Sequence, residues 1–336
     1  MRFHFLACHA VLRIFILVVL LPFLVLSPAT AQPSSAKKPT KPVGKMTVQP
    51  LVNGTAAFRT SDSVQLFVQI AGRGVPCVFV HGGPGAGSYA FEHLGGRALE
   101  AQLHMIYLDQ RGSGRSASSP KGNYRLVRQV QDLEELRQQL GLTRWVLMAH
   151  SFGAVIATAY ATRYPERVQA LLLVNGVLNP PASLASLVHY GDSLLPVAAR
   201  PTLPPTAPLP QCFGMVMQAL SQQKLDYQLQ YASDTAAARA SRVVRQIPSN
   251  HDFAAHVFDF PDYGKDYAPA TAQLTMPVLV LAGHDDFTAG PRHYQTFRFP
   301  HQRVLRLPGR HNLLTEQPAL AQQAVCIFVA HLPPSH

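Results

Sequence analysis

Trp145-Val146-Leu147-Met148-Ala149-His150-Ser151-Phe152-Gly153-Ala154-Val155-Ile156-Ala157 is the stretch whose reading decides the fold. A continuous apolar run, 145–149, ends just before a serine. Small residues follow, and then a helix-like pattern over 154–160. That order reads as strand, tight turn, helix. A serine on such a turn has its side-chain oxygen pushed out of the sheet, and the N–H groups after it face an incoming carbonyl oxygen. The usual pattern for this turn is Gly-x-Ser-x-Gly. Here Ala149 stands in the first glycine position and Gly153 keeps the second. Ser-x-Gly also arises by chance, so the rest of the chain has to carry the argument.

Outward from this stretch the same rhythm repeats. Residues 64–70 alternate as a half-buried strand does. Short apolar runs lie at 75–80, 105–108, 170–174, 277–281 and 304–307. Between them, residues 124–140 place Leu126, Val127, Val130, Leu133, Leu136 and Leu140 at helical intervals, and 316–332 do likewise. Strands alternating with helices predict an α/β fold, a mostly parallel sheet flanked by helices on both faces. Sites in such sheets form at the carboxyl ends of the strands. About a hundred residues separate the run at 170–174 from the one at 277–281. Residues 195–210 in it are rich in Pro and Ala, and 220–247 have helical spacing. A connection that long carries structure of its own. The expected division is a core of 46–177 and 276–336 with an inserted, mainly helical cap over 178–275.

Four short motifs follow four different apolar runs. His81-Gly82-Gly83-Pro84-Gly85-Ala86-Gly87 follows 75–80, and its glycines let backbone N–H groups approach a ligand. The N–H of Gly83 and that of Phe152 form a candidate oxyanion pair. The Gly-Lys-Ser/Thr of a phosphate loop is absent. Asp109-Gln110-Arg111-Gly112-Ser113-Gly114-Arg115-Ser116 follows 105–108, and its Asp and Arg residues suit a structural brace. Gly283-His284-Asp285-Asp286 offers a carboxylate to orient a histidine. Pro308-Gly309-Arg310-His311-Asn312 sets a histidine on a turn. With 15 histidines in the chain, residue type alone selects nothing. Order does: Ser, then Asp, then His, each past a predicted strand end.

These motifs together resemble the α/β-hydrolase superfamily. His-Gly-Gly-Pro-Gly with Asp-Gln-Arg-Gly-Ser-Gly-Arg-Ser is similar to the proline iminopeptidase-like family, from about residue 67 to the C-terminus. The resemblance implies a serine hydrolase with Ser151 as nucleophile, His311 as general base and Asp286 as the acid, with Asp285 its neighbour in reserve. It implies Gly83 and Phe152 as the oxyanion donors and no cofactor or metal. His150 is expected to point to the opposite side of its strand in a structural role. Three departures matter. Family aminopeptidases carry Gly-Gly-Ser-Trp-Gly at the elbow, where this chain has Ala-His-Ser-Phe-Gly. They hold the substrate amine with cap glutamates, and residues 178–275 contain no Glu, only seven Asp. Trp145 is the sole tryptophan, so the cap has none. The implied substrate is a small molecule or short peptide (prolyl peptide, amide or ester). A carboxylesterase or lactonase, and a catalytically silent binding protein of the same fold, are the alternatives.

Hydrophobic residues make up 47% of the 336 and charged residues 14%, which describes a globular chain with a sizeable core. Arg2 and Arg13, the apolar residues 14–26 and Ala29-Thr30-Ala31 form a secretory signal pattern, with cleavage expected after Ala31. Residues 32–45, with three Pro and four Lys, read as a flexible linker. The expected location is therefore secreted or periplasmic, a membrane anchor being the alternative. Net charge is +11, or +9 without residues 1–31, which favours anionic surfaces. The basic residues are dispersed, which argues against nucleic-acid binding. Of four cysteines Cys8 leaves with the signal, Cys77 sits in an apolar run, and Cys212–Cys326 is the only pair open to a disulfide.

Overall fold

The computed structural model describes residues 51–333, so the expected signal (1–31) and linker (32–45) lie outside the described residues. Eight strands form one sheet: β1 (Gly54–Arg59), β2 (Gln65–Gly72), β3 (Val75–Val80), β4 (Leu103–Leu108), β5 (Trp145–His150), β6 (Val168–Val174), β7 (Val278–Gly283) and β8 (Gln302–Leu307). Their order across the sheet is β1-β2-β4-β3-β5-β6-β7-β8. β2 pairs antiparallel with both β1 and β4, while the neighbours from β4 to β8 all run parallel. The carboxyl ends of six strands therefore share one edge.

Strand periodicity divides the core into two layers. Val78, Val80, Leu147, Leu171, Leu173 and Val280 pack on one face, with Leu133 of α2 (Leu126–Gln139) and Ile156 of α3 (Gly153–Arg163). Cys77, Phe79, Met148, Leu172, Leu279 and Leu281 pack on the other, with Phe91 of α1 (Tyr89–Leu94) and, further along the chain, Val325. Successive residues of one strand serve opposite faces, and helices cover both. The unbroken apolar runs read in the sequence are thus doubly buried strands.

Residues 175–277 run between β6 and β7 and add no strand to the sheet. They carry α4 (Pro180–Leu194), α5 (Leu209–Gln222), α6 (Asp234–Val244) and α7 (Asp252–His256). The single helical stretch read at 220–247 is in fact the end of α5, a turn at Asp226–Leu229 and α6. The helix read at 316–332 is likewise two pieces, α8 (Leu313–Glu316) and α9 (Pro318–Ala330). Pro318 has no N–H to continue the first and sits in the opening turn of the second.

The Asp-Gln-Arg motif after β4 is a brace. Arg111, fully buried, places its guanidinium on Asp132 of α2 at 2.5 and 2.7 Å and on Asp62 at 2.9 Å. Asp109 accepts from the Ser88 N–H and hydroxyl at 2.6 Å and from Arg115 Nε at 2.7 Å. Gly114 and Asn250 exchange backbone hydrogen bonds, tying residues 250–253 to this loop. Cys77, Cys212 and Cys326 are all free thiols. The disulfide held open for Cys212 and Cys326 is absent: they lie on α5 and α9, where their sulfurs meet Ala207 O and Gln102 Oε1.

Candidate active site

The turn after β5 is built from close approaches that only small residues allow. Ser151 has φ 53°, a left-handed conformation. Its N–H is spent on Val174 O at the end of β6, and its carbonyl accepts from Val177 N and Ala154 N. A Cβ on Gly153 would lie 2.2 Å from Val80 O, so α3 can start against β3 only with glycine there. A Cβ on Gly82 would lie 2.7 Å from Ser151 Cβ and 3.3 Å from Phe152 N. The glycine-rich loop after β3 therefore rests directly on the serine turn. Neither the Gly83 N–H nor the Phe152 N–H is taken up by another group among the described residues.

Past the ends of β7 and β8, Asp286 and His311 complete a line with Ser151. His311 Nε2 stands 2.7 Å from Ser151 Oγ, and His311 Nδ1 stands 2.9 Å from Asp286 Oδ1. Asp286 is fully buried, His311 3% exposed and Ser151 5% exposed. With the Nδ1 proton donated to the carboxylate, Nε2 is free to accept from the serine hydroxyl. Asp286 Oδ1 also accepts from Thr288 N at 3.1 Å and Ala289 N at 2.9 Å. Burial alone would raise this carboxyl. The charge and hydrogen bond of His311, the charge of His293 and the Ala289 N–H outweigh it and hold Asp286 below the usual range. Asp285, its neighbour, is exposed and has no hydrogen bond or ion pair with His311 among the described residues.

Three further residues hold this line in place, of which Asn175 alone was not read in the sequence. Asn175, at φ 46° past β6, donates from Nδ2 to Arg310 O and His311 O at 2.8 and 2.7 Å, and accepts from Gly283 N at 2.8 Å. It clips the loops of Asp286 and His311 together. His150 does not point away from the site, as its place on the strand suggested. Its Nε2 donates to His311 O at 3.0 Å, and its ring packs on that of His311, centroids 5.0 Å apart. The strand ends at His150, so alternation no longer dictates its direction. Burial, reinforced by the His311 charge, lowers its pKa to about 4, so it is a neutral prop. His81 donates from Nδ1 to Gly82 O and accepts at Nε2 from Gln110 N, both at 3.0 Å, and burial holds it neutral. The lone signal for Asn175 in the sequence is its place one residue past a strand.

Ser151, Phe152 and His311 open onto a cavity of about 520 Å³. Its outer wall comes from residues 177–264 and is mainly apolar, with Leu184, Leu187, Phe213, Met217 and Leu229 among its side chains. Asp226 is the one carboxylate on the wall among the described residues. The arrangement offers a hydroxyl with an imidazole in line, two unused N–H groups beside it and an apolar chamber above.

The comparisons with known proteins agree with this fold. A family model described as alpha/beta hydrolase fold matches residues 75–318. A proline iminopeptidase of Neisseria gonorrhoeae is 34% identical over 140 residues, 40% of this chain and 44% of that protein. A putative carbamate hydrolase, RutD, of Klebsiella pneumoniae (strain 342) is also 34% identical, over 135 residues, 38% of this chain and 50% of that one. The chain thus spans about half the length of the curated relatives it matches. Among solved structures, a proline iminopeptidase-related protein from Thermus thermophilus superposes with a TM-score of 0.67 at 25% identity, covering 84% of this chain and 98% of its own. From the buried parallel sheet to the loops at its carboxyl edge, the chain belongs to the alpha/beta hydrolase fold family, with its sequence likeness running to the proline iminopeptidases.

Proposed function

We propose that this protein is a serine hydrolase that cleaves a small, neutral, apolar acyl ester through an acyl-enzyme. Ser151 Oγ attacks the carbonyl carbon while His311 Nε2 takes the hydroxyl proton. Asp286 holds the imidazole in the right tautomer and offsets its charge. The oxyanion forms at the N–H groups of Gly83 and Phe152. His311 returns its proton to the leaving alkoxide, and water, with His311 again as base, releases the acid and restores Ser151. The observation that carries this reading is the Ser151–His311–Asp286 line, 2.7 and 2.9 Å, beneath an apolar chamber. Residues 178–275 act in it as the cap, and residues 1–31 as an export signal.

A second reading is an aminopeptidase acting on N-terminal proline. It draws on the relatives and on Asp226, the one wall carboxylate that could meet a substrate ammonium. A cationic amine in an otherwise apolar chamber needs such a partner to replace its hydration. A fluorophosphonate probe followed by peptide mapping tests the nucleophile: label is expected on Ser151 and absent from Ser151→Ala. An unlabelled wild type, or equal labelling of the variant, overturns the assignment. Prolyl-naphthylamide against short-chain p-nitrophenyl esters then separates the two readings, with the esters expected to turn over faster.

A further inference from the structure

Helix α6 covers the chamber with little of its own surface fully buried. Ala240 is its single buried residue, and Ala240 and Val244 line the chamber. Val244 is nevertheless 40% exposed, and Phe258, also on the wall, is 57% exposed. Two apolar side chains thus belong to the chamber and to the surface at once, which makes them the rim of its mouth. Arg239, Arg242 and Arg245 are spaced by three along the same helix and its end, and Arg242 lies opposite the Ala240–Val244 face. All three are exposed, and none of their guanidinium groups has an ion pair or hydrogen bond among the described residues. The acids on neighbouring elements are Asp226, Asp234 in the first turn of α6 and Asp259 beside Phe258, and four engaged ones, of which Glu92 pairs with Arg115 and Glu316 accepts from Ala232 N and Arg310 N. Asp252 pairs with Tyr124 and His256, and Asp262 with Lys265.

An apolar rim flanked by unpaired guanidinium groups suits a negatively charged interface better than bulk water. We propose that the chamber mouth docks on an anionic lipid surface. Val244 and Phe258 enter the headgroup layer while Arg239, Arg242 and Arg245 meet lipid phosphates. The chain's net charge, +9 without the export signal of residues 1–31, draws it toward the same surface. Docked this way, the mouth faces the bilayer, and an apolar substrate reaches Ser151 without crossing water. The inference takes the chamber from the proposed function but not its chemistry. Binding is what the test reads, so docking and hydrolysis fail separately.

The test is Phe258→Trp in the full chain, with the buried Trp145 as a constant background. Phosphatidylglycerol vesicles are expected to shift the introduced indole's emission to the blue and to expose it to quenching by brominated acyl chains. Phosphatidylcholine vesicles are expected to do neither. About 0.5 M salt, which shortens the screening length to a few ångströms, is expected to reverse the shift. Basic residues near an anionic surface each contribute about fivefold in binding, so Arg239→Ser/Arg242→Ser/Arg245→Ser is expected to bind about 100-fold more weakly. That variant keeps its rate on a soluble ester, since none of the three arginines lines the chamber. No shift on phosphatidylglycerol, an equal shift on phosphatidylcholine, insensitivity to salt, or undiminished binding by the triple variant each overturns the proposal.

Discussion

Ser151 holds a backbone conformation, φ 53°, that an L-residue adopts at a cost of about 1–2 kcal/mol. The cost falls on the Cβ, not the hydroxyl, so two substitutions separate backbone from chemistry. Ser151→Ala and Ser151→Gly are both expected to cut turnover by about 10³-fold or more, as removal of a working nucleophile does. The glycine variant is expected to be the more stable of the two by about 1 kcal/mol in urea denaturation, the reverse of glycine's usual effect. Equal stabilities would mean that the turn is not strained. The acid of the line is resolved just as directly. Asp286→Asn is expected to lower kcat by about 10³-fold or more, because an amide can present the wrong partner to Nδ1. Asp285→Asn, at an exposed side chain, is expected to change it less than twofold; the reverse ranking would reassign the acid. His150 supplies a pH signature. Its pKa of about 4 lies below the ordinary histidine value of about 6.5, so between these values the unfolded chain binds more protons. Its contribution to stability is present above about pH 6.5 and is lost as the pH falls toward 4. The urea midpoint is therefore expected to drop between pH 7 and 4.5, and to drop less in His150→Gln.

At the scale of elements, the site is a set of strand ends brought within contact by missing side chains. Gly153 shows this most sharply. With Val80 O 2.2 Å from where its Cβ would be, Gly153→Ala must push α3 off β3 or rotate the serine turn. Overpacking of this kind costs about 3 kcal/mol or more when the obstacle is backbone. A variant that folds should show the loss in thermal denaturation and in turnover together; unchanged values for both would refute the close approach. Ala149, in the place of the pattern's first glycine, is fully buried in the sheet and meets no such obstacle. The elements legible in the sequence are those whose burial writes a period into the chain. β3, β5, β6 and β7, buried on both faces, stood out as apolar runs, and α2 as a helical stripe. β1 did not, because Phe58 is its only buried residue, and α1 spans only six residues. Ser151, Asp286 and His311 were legible because motif order marks strand ends. Asn175 was not, nor was the direction of His150, whose role was read as structural, because their work is to hold the backbone of His311, 136 and 161 positions away.

At the scale of the whole molecule, labour is divided between two stretches of chain. The sheet and its loops supply the hydroxyl, imidazole and carboxylate. Residues 175–277 supply most of the outer chamber wall. The two stretches are laced together at several points. Ser183 and Ser186 of α4 donate to the carbonyls of Thr288 and Phe287, and Asn312 donates to Gln230. Tyr263 donates to the carbonyl of Tyr124, and its ring lies 5.4 Å from that of Phe152, the candidate oxyanion donor. On the proposed function, substrate choice rests on wall residues whose loss need not disturb the line at Ser151. Asp226 is the position at which this can be decided. It sits at the turn between α5 and α6, half-buried, with no hydrogen bond to another side chain among the described residues. If the chamber is built for neutral acyl groups, Asp226→Asn alters kcat/KM for a p-nitrophenyl ester less than twofold. It can even raise it, by removing a carboxylate from an apolar wall. If the carboxylate anchors an ammonium, the same change lowers kcat/KM for a prolyl amide by about 10–100-fold, the worth of a charged hydrogen bond of about 1.5–3 kcal/mol. The ester reading expects the first result, with the prolyl amide a poor substrate before and after the change. A large loss confined to prolyl substrates would hand the chamber to the aminopeptidase reading and leave the roles of Ser151, His311 and Asp286 untouched.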